Sequence, residues 1–450
     1  MRIIEFPAAT SEKAHRGKSR NSGGRGICAR VSKAVRVWRE HRNRGGAATV
    51  ATRQGCAGHH GVRTLRTGTL LFTVWAAMLP AVARPLVATA ATAAERAADV
   101  TVPFARHNSI PTGPYERFFY RGLPYGSDAT FQPLREVING AFGILQISSN
   151  WKTLDRIDWR NGLSVTWRSI THPTRTIGNY GWRDFATSEM LPGRLSWQNL
   201  QYVPNYTLHL VGGGARNRAF VEWYRAHGVP YPVWMAMATT IVHEFAVETV
   251  EHAGEHAPTV DPIADMLFFD PAGALLFLRD GVSRFFAHTL HMSIWSGQPM
   301  INPAIHSIEN AGQNYAFHYF FSGGNRAGLF TYLGMSNLFG VTVRNAGGVD
   351  WSFGLGGNVA ELTPVERGRG GSAFFARLSW DAGLFAHVNG SLLVSVLVSQ
   401  SWAQRLRVNV YPGVVSLGGV TPGIYVGVRR STLLFGVSLH GLPVGGAYSG

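Results

Sequence analysis

The sequence predicts a mainly β chain: an antiparallel transmembrane β-barrel of about 12 strands carrying a helical insertion packed against or inside it. Three observations carry that expectation. Apolar residues alternate with small or polar ones from about Asn314 to the end, an export-signal pattern lies between Arg63 and Ala98, and the hydrophobic period changes between Gly212-Gly213-Gly214 and Pro299.

In an extended strand, alternation sends the two residue classes to opposite faces. Leu392, Val394, Val396 and Val398 alternate with Ser391, Ser395 and Ser399; Leu433, Phe435, Val437 and Leu439 alternate with Gly436, Ser438 and His440. Similar runs begin at Asn314, Trp351, Phe374, Arg405 and Ile424, separated by turn signals such as Asn389-Gly390 and Pro422-Gly423. One face is large, apolar and free of charge, and the other holds Gly, Ser and Arg, as a lipid-exposed strand requires. On that basis Arg377, Arg405, Arg407 and Arg429 face a lumen. A soluble sandwich, which also alternates, is the competing fold. Leu163 to Arg168, Tyr202 to Val211 and Ala141 to Ser148 read as further extended stretches.

The formal charge of +16 belongs largely to the front end, because residues 1–83 hold 15 Lys+Arg against 3 Asp+Glu, leaving 27 against 23 in residues 84–450. A balance of +4 over the folded part gives no basic surface for nucleic acid, and that function is set aside. Arg63 and Arg66, an apolar run from Thr69 to Leu79 and Ala81-Val82-Ala83 match a cleaved signal peptide, the apolar run being too short to span a bilayer. The expected organisation is a basic segment over 1–61 upstream of a true start near Val62, a signal peptide and Ala-rich linker over 62–98, and the barrel over 99–450 with its insertion at about 215–298. Both cysteines, Cys28 and Cys56, lie in the front end, so no disulfide or Cys-ligated zinc site is available later.

Within the insertion, Arg216 to His227 reads as a short helix stopped by Gly228 and Pro230, and Pro232 to His252 as a longer one. At 100° per residue, Glu244, Glu248, Glu251 and Glu255 form one acidic stripe. After Pro258 come Asp261, Asp265 and Asp270, then an apolar helix to about His291. The candidate functional cluster is His243, Glu244, Glu248, Glu251, Asp261 and Asp265. His243-Glu244 lacks a histidine four residues on, where Val247 stands, so the zinc-protease motif fails. His252 and His256 have metal-ligand spacing but are weak candidates, and no cofactor is implied. A further expectation pairs the acidic stripe with the lumen arginines.

Val242-His-Glu-Phe-Ala-Val-Glu248, followed by Thr259-Val-Asp-Pro-Ile-Ala-Asp265 and Gly273, resembles a family of uncharacterised bacterial envelope proteins classed as a domain of unknown function. The resemblance covers about residues 120–300 and implies an outer-membrane setting, without an activity. The expected function is a plugged channel or a binding protein for a small polar or anionic solute. The alternative is a lipid-modifying hydrolase using His243, Glu244, Glu248 and Asp265, with Ser283 or Ser293 as nucleophile. Expected partners are outer-membrane lipid and the barrel-assembly machinery; whether the chain is an enzyme stays open.

Overall fold

A computed structural model describes residues 115–191, 202–321, 326–367 and 371–450, with backbone alone at 202 and 359–378. The basic segment, the signal peptide and the side chain of Arg377 lie outside the described residues. Helices occupy the first part of the described chain and strands the second.

The helices used below are α1 (Gly126–Thr130), α2 (Pro133–Gly143), α3 (Trp159–Thr171), α4 (Pro173–Tyr180), α5 (Gly214–Ala226), α6 (Pro232–Glu251) and α7 (Asp270–Phe277). Proline occupies the first turn of α2, α4, α6 and α7, where its missing N–H leaves no intrahelical bond unmade. α5 and α6 fall where the Gly228 and Pro230 stop signals place them. The helical region starts earlier than residue 215, and three stretches expected to be extended are helical.

In α3 the Asp158 carboxylate accepts a hydrogen bond from the Asn161 N–H at 3.0 Å, capping the helix. Gly162, Val165, Thr166 and Ser169 form its buried stripe, while Leu163 and Trp167 face solvent. Six residues are too few to separate a period of 2 from one of 3.6. Ala141 and Gly143 close α2, followed by a 3₁₀ turn at Ile144–Gln146. Asn205–Gly213 is a π-helical segment leading into α5. There Gly212 lies against the Tyr315 ring, Gly213 against Asp270, and Gly214 against Phe277 and the Gly273 backbone. A crossing this close needs residues without Cβ atoms and overrides the local preference of Tyr, Thr and Val for extended backbone.

The strands are β1 (Ser293–Ile294), β2 (Met300–Asn302), β3 (Ser307–Glu309), β4 (Asn314–Phe320), β5 (Ala327–Gly334), β6 (Asn337–Arg344), β7 (Asp350–Arg367), β8 (Gly371–Val388), β9 (Ser391–Ser399), β10 (Leu406–Val410), β11 (Gly423–Arg429), β12 (Thr432–Ser438) and β13 (Gly445–Ser449). They form one sheet in the order β1-β4-β5-β6-β7-β8-β9-β10-β11-β12-β13-β2-β3. From β4 to β13 it is an antiparallel meander; β13 then pairs with β2 in parallel.

The expected closed barrel of about 12 strands is corrected to an open order of 13, since no ladder joins β1 to β3. β1, at one end, is nonetheless continuous through residues 295–299 with β2, which lies next to the other end. The Trp295 and Gly297 N–H groups donate to the carbonyls of Asn314 and Gly312, and the Gly445 N–H donates to the Pro299 carbonyl. One stretch of chain therefore meets the β4 side with its first half and β13 with its second. The predicted Asn389-Gly390 turn is present, with φ of 51° and 74°, the left-handed pair that a two-residue hairpin requires.

Phe339, Leu355, Leu433 and Phe435 are exposed, and Ser352, Asp381, His387, Ser395, Arg407 and Asn409 are buried. Helices cover part of the outward apolar face: Tyr315 and Phe317 of β4 pack with Leu208, Val211, Phe220 and Phe277. On the opposite face of β4, Ala316 packs in an aromatic core with Trp295, Phe330, Tyr332 and Phe385.

Arg407 is buried, its guanidinium 3.3 Å from the Trp402 ring centroid, and Arg429 stands 3.5 Å from Glu309 and over Trp151. Arg405, expected beside them, is exposed. It precedes the first residue of β10, and a period-2 pattern fixes the direction of a side chain at the rim without enclosing it. Among the described residues no helix is long and apolar enough to cross a membrane.

Candidate functional site

Two polar sites stand out against this frame. The first joins the π segment, α5, α6 and α7. Glu244 and Glu248, one turn apart on α6, are both buried, as are His243 and Asp265. Glu251 and Glu255 are exposed, because α6 ends at Glu251 and a 3₁₀ turn carries Glu255 off the stripe.

Glu244 pairs with Arg216 of α5, which also donates to Gln313 Oε1 at 2.8 Å and to the Tyr315 hydroxyl at 3.4 Å. The partner is thus a helix arginine, and among the described residues neither Glu244 nor Glu248 pairs with a sheet arginine as expected. Alternation placed Arg407 and Arg429 on the inward face but gave no sign of the arginine arriving from α5. Burial works against ionisation of Glu244, yet Arg216 and His243 hold its carboxyl well below the usual range. His243 is neutral at physiological pH, since burial and then Arg216 press its pKa down to about 4. Its Nδ1 lies 2.9 Å from Glu244 Oε1 and its Nε2 accepts from Gln313 Nε2 at 2.6 Å, so neither ring nitrogen is free for acid–base work.

His209, which no sequence signal singled out, sits among three carboxylates: Glu244 at 3.7 Å, Asp265 at 3.4 Å and Asp270 at 3.4 Å. Burial lowers its pKa, but Asp265 and Asp270 outweigh that and hold it well above its ordinary value. His209 and Asp265 both lie on π-helical segments, Asn205–Gly213 and Asp265–Phe269, a rare geometry that recurs at functional sites. A neighbouring group joins Glu248, His252 and Asp261, with His252 Nε2 2.9 Å from Glu248 and 3.8 Å from Asp261. His256, the other weak ligand candidate, is exposed and outside both groups.

Ser283 donates to the Phe277 carbonyl at 2.7 Å, and Ser293 receives Arg121 Nη2 at 3.4 Å. Among the described residues neither hydroxyl meets a histidine, so neither is given a base.

Glu136 of α2, also missed in the sequence, is buried and accepts from the Ser296 hydroxyl at 2.5 Å. Burial pushes it up to about 7, against the pull of Ser296 and Arg216. A carboxyl raised in the folded state binds more protons there than in the unfolded chain between pH 4.5 and 7. Its contribution is intact below pH 4.5 and is lost as pH rises through 7. Glu136→Gln is therefore expected to leave stability at pH 4.5 unchanged and to raise it at pH 8 by about 2–3 kcal/mol. Thermal unfolding at the two pH values checks this; an equal effect at both contradicts it.

The second site is a cavity of about 340 Å³ where the chain around Arg121 and the end of the last helical segment meet β4, β6, β7 and β8. Arg117, Arg121 and Arg344 line it with His318 and His387, facing one carboxylate, Asp350. Arg344 lies over the Phe320 ring at 3.6 Å from its centroid. The imidazoles of His318 and His387 are buried with ring centroids 4.4 Å apart. His318 Nδ1 donates to the His291 carbonyl at 3.4 Å. The Ser352 hydroxyl donates to Thr342 Oγ1 and so accepts from His387 Nε2 at 3.2 Å. These partners leave His318 Nε2 and His387 Nδ1 as bare acceptors with no hydrogen bond.

Comparison with family models, curated proteins and solved structures finds no match to this chain.

Proposed function

We propose that the chain is an outer-membrane β-sheet protein that binds a small, partly protonated oxyanion in the Arg/His cavity. The observation that carries this reading is the convergence of Arg117, Arg121 and Arg344 on a cavity holding two buried imidazoles with unpartnered nitrogens. Guanidinium groups suit carboxylate and phosphate oxygens geometrically, and the volume falls at the small end of ligand sites. The bare imidazole nitrogens need a donor, which the O–H of hydrogen phosphate or of a phosphomonoester supplies. Sulfate at neutral pH carries no such proton and would leave them unsatisfied.

The membrane setting is supported by exposed Leu329, Phe339, Leu355, Leu433 and Phe435 on the side of the sheet opposite its buried serines, Asp381 and Arg407. Water on the apolar face and apolar contacts around the polar one would invert the usual preference.

Two measurements test the reading on the purified chain. Flotation with vesicles of phosphatidylethanolamine and phosphatidylglycerol should carry the protein into the lipid fraction; a chain that stays monodisperse in water without detergent contradicts the lipid-facing sheet. Calorimetric titration with inorganic phosphate should show binding that sulfate does not match. Arg121→Gln combined with Arg344→Gln should weaken phosphate at least about tenfold, each lost charge-assisted hydrogen bond being worth about 1.5–3 kcal/mol. Equal affinity for both anions, or binding indifferent to the double substitution, overturns the ligand assignment.

A further inference from the structure

The carboxylates around His209 are short of donors. Beyond their ion pairs with His209, neither oxygen of Asp270 receives a hydrogen bond of good geometry, and the same holds for Asp265 Oδ1. Asp265 and Asp270 are each 3% exposed, so bulk solvent contributes little to their solvation. Buried carboxylates ordinarily collect hydrogen bonds or a cation. Arg216 meets Glu244 alone among them in hydrogen-bonding geometry.

The geometry indicates what is required. His209 Nδ1, a Glu244 oxygen and an Asp270 oxygen lie within 4.8 Å of one another. His209 Nδ1 is 3.7 Å from Glu244 Oε2 and 3.4 Å from Asp270 Oδ1. Ligand atoms about 2.0–2.2 Å from one ion stand about 3–4 Å apart, so these spacings need only a small contraction. On the other side of the ring, His209 Nε2 faces Asp265 Oδ2 at 3.4 Å. An imidazole whose second nitrogen points to a carboxylate is fixed in orientation, with its first nitrogen free to ligate.

We propose that His209, Glu244 and Asp270 hold a divalent transition-metal ion, with Asp265 as the positioning residue behind His209. One imidazole nitrogen and two carboxylate oxygens suit Zn²⁺ or Mn²⁺ better than Ca²⁺, which takes six to eight oxygens. The three ligands come from the π segment, α6 and α7, so the ion ties α6 to the π segment and α7, which Gly273 already brings close to each other. This site is independent of the anion cavity, and either can fail without the other.

The experiment uses the full chain in detergent, treated with chelator and then titrated separately with zinc, manganese, calcium and magnesium chloride. Binding is read by calorimetry and by the shift in melting temperature. One zinc or manganese ion per chain is expected, with a raised melting temperature and no comparable effect from calcium or magnesium. Asp265→Asn should weaken binding about 10–100-fold. His209→Gln and Asp270→Asn should abolish it, and His252→Gln should leave it intact. Absence of zinc and manganese binding in the unsubstituted chain at millimolar metal overturns the proposal whatever the variants do. So does binding that survives His209→Gln and is lost in His252→Gln, which would move the ion to the Glu248, His252 and Asp261 group.

Discussion

Arg216→Met is expected to lower the free energy of unfolding by about 3–5 kcal/mol, the range for removing one member of a buried ion pair. Arg216 is 2% exposed and Glu244 1%. The substitution leaves the Glu244 carboxylate without its cation and takes a donor from Gln313, just ahead of β4, and from Tyr315 of β4. The loss therefore falls on the contact between helices and sheet as well as on the pair. Adding Glu244→Gln removes the stranded charge and should recover part of the loss, because the largest penalty is an uncompensated buried charge. Denaturant unfolding in detergent measures both; a loss below about 1 kcal/mol for Arg216→Met, the level of an exposed pair, contradicts the role given to it.

Trp295→Ala is expected to cost a similar amount, about 3–5 kcal/mol, for a different reason. Trp295 is fully buried, and its ring lies 5.2–6.0 Å from those of His318, Phe330, Phe385 and His387. Removing it leaves a void that flanking strands, held in register by their ladders, cannot collapse to fill. It also strips the Gly390 carbonyl of the donor that the indole supplies at 2.9 Å. Trp295→Phe separates the two effects. It restores most of the volume but not the donor, so a residual loss of about 1–3 kcal/mol is expected. Identical melting of Trp295→Phe and the unsubstituted chain would show that the carbonyl is satisfied by another group.

β4 and β7 to β12 were legible because their two faces meet different surroundings, and a sustained period of 2 has no helical counterpart, whereas β5, β6 and β13 were not singled out. Leu433, Phe435 and Val437 pointing out while Leu434 and Ser438 point in is that rule at work. The long helices were legible from their punctuation. Residues 163–168 failed because a six-residue window satisfies both periods, and 205–211 because tertiary packing at Gly212 to Gly214 overrides local preference. At the site, Glu244 and Glu248 shared one helix face and announced themselves. His209, Arg216, Glu136 and Asp270 reach their partners across tens of residues, through a crossing that depends on glycines, and no local spacing encodes it. The strand order was unreadable for a related reason: β1, β2 and β3 are too short to carry a pattern, yet they form the two ends of the sheet.

That last feature bears on how the polypeptide assembles. Met300 and Ile301 pair with Gly445 and Gly446, so the ladder between β2 and β13 waits for residues about 145 positions further along the chain. Neighbouring hairpins from β4 to β12 form through local contacts, whereas this ladder spans the longest stretch of sequence among the strand ladders and pays the largest loop-closure entropy among them. A nascent chain can thus complete its helices and most of its hairpins while the stretch around Met300 is still waiting for its partner. The final five-residue strand is what turns a row of finished hairpins into a sheet gripped at both sides by one segment.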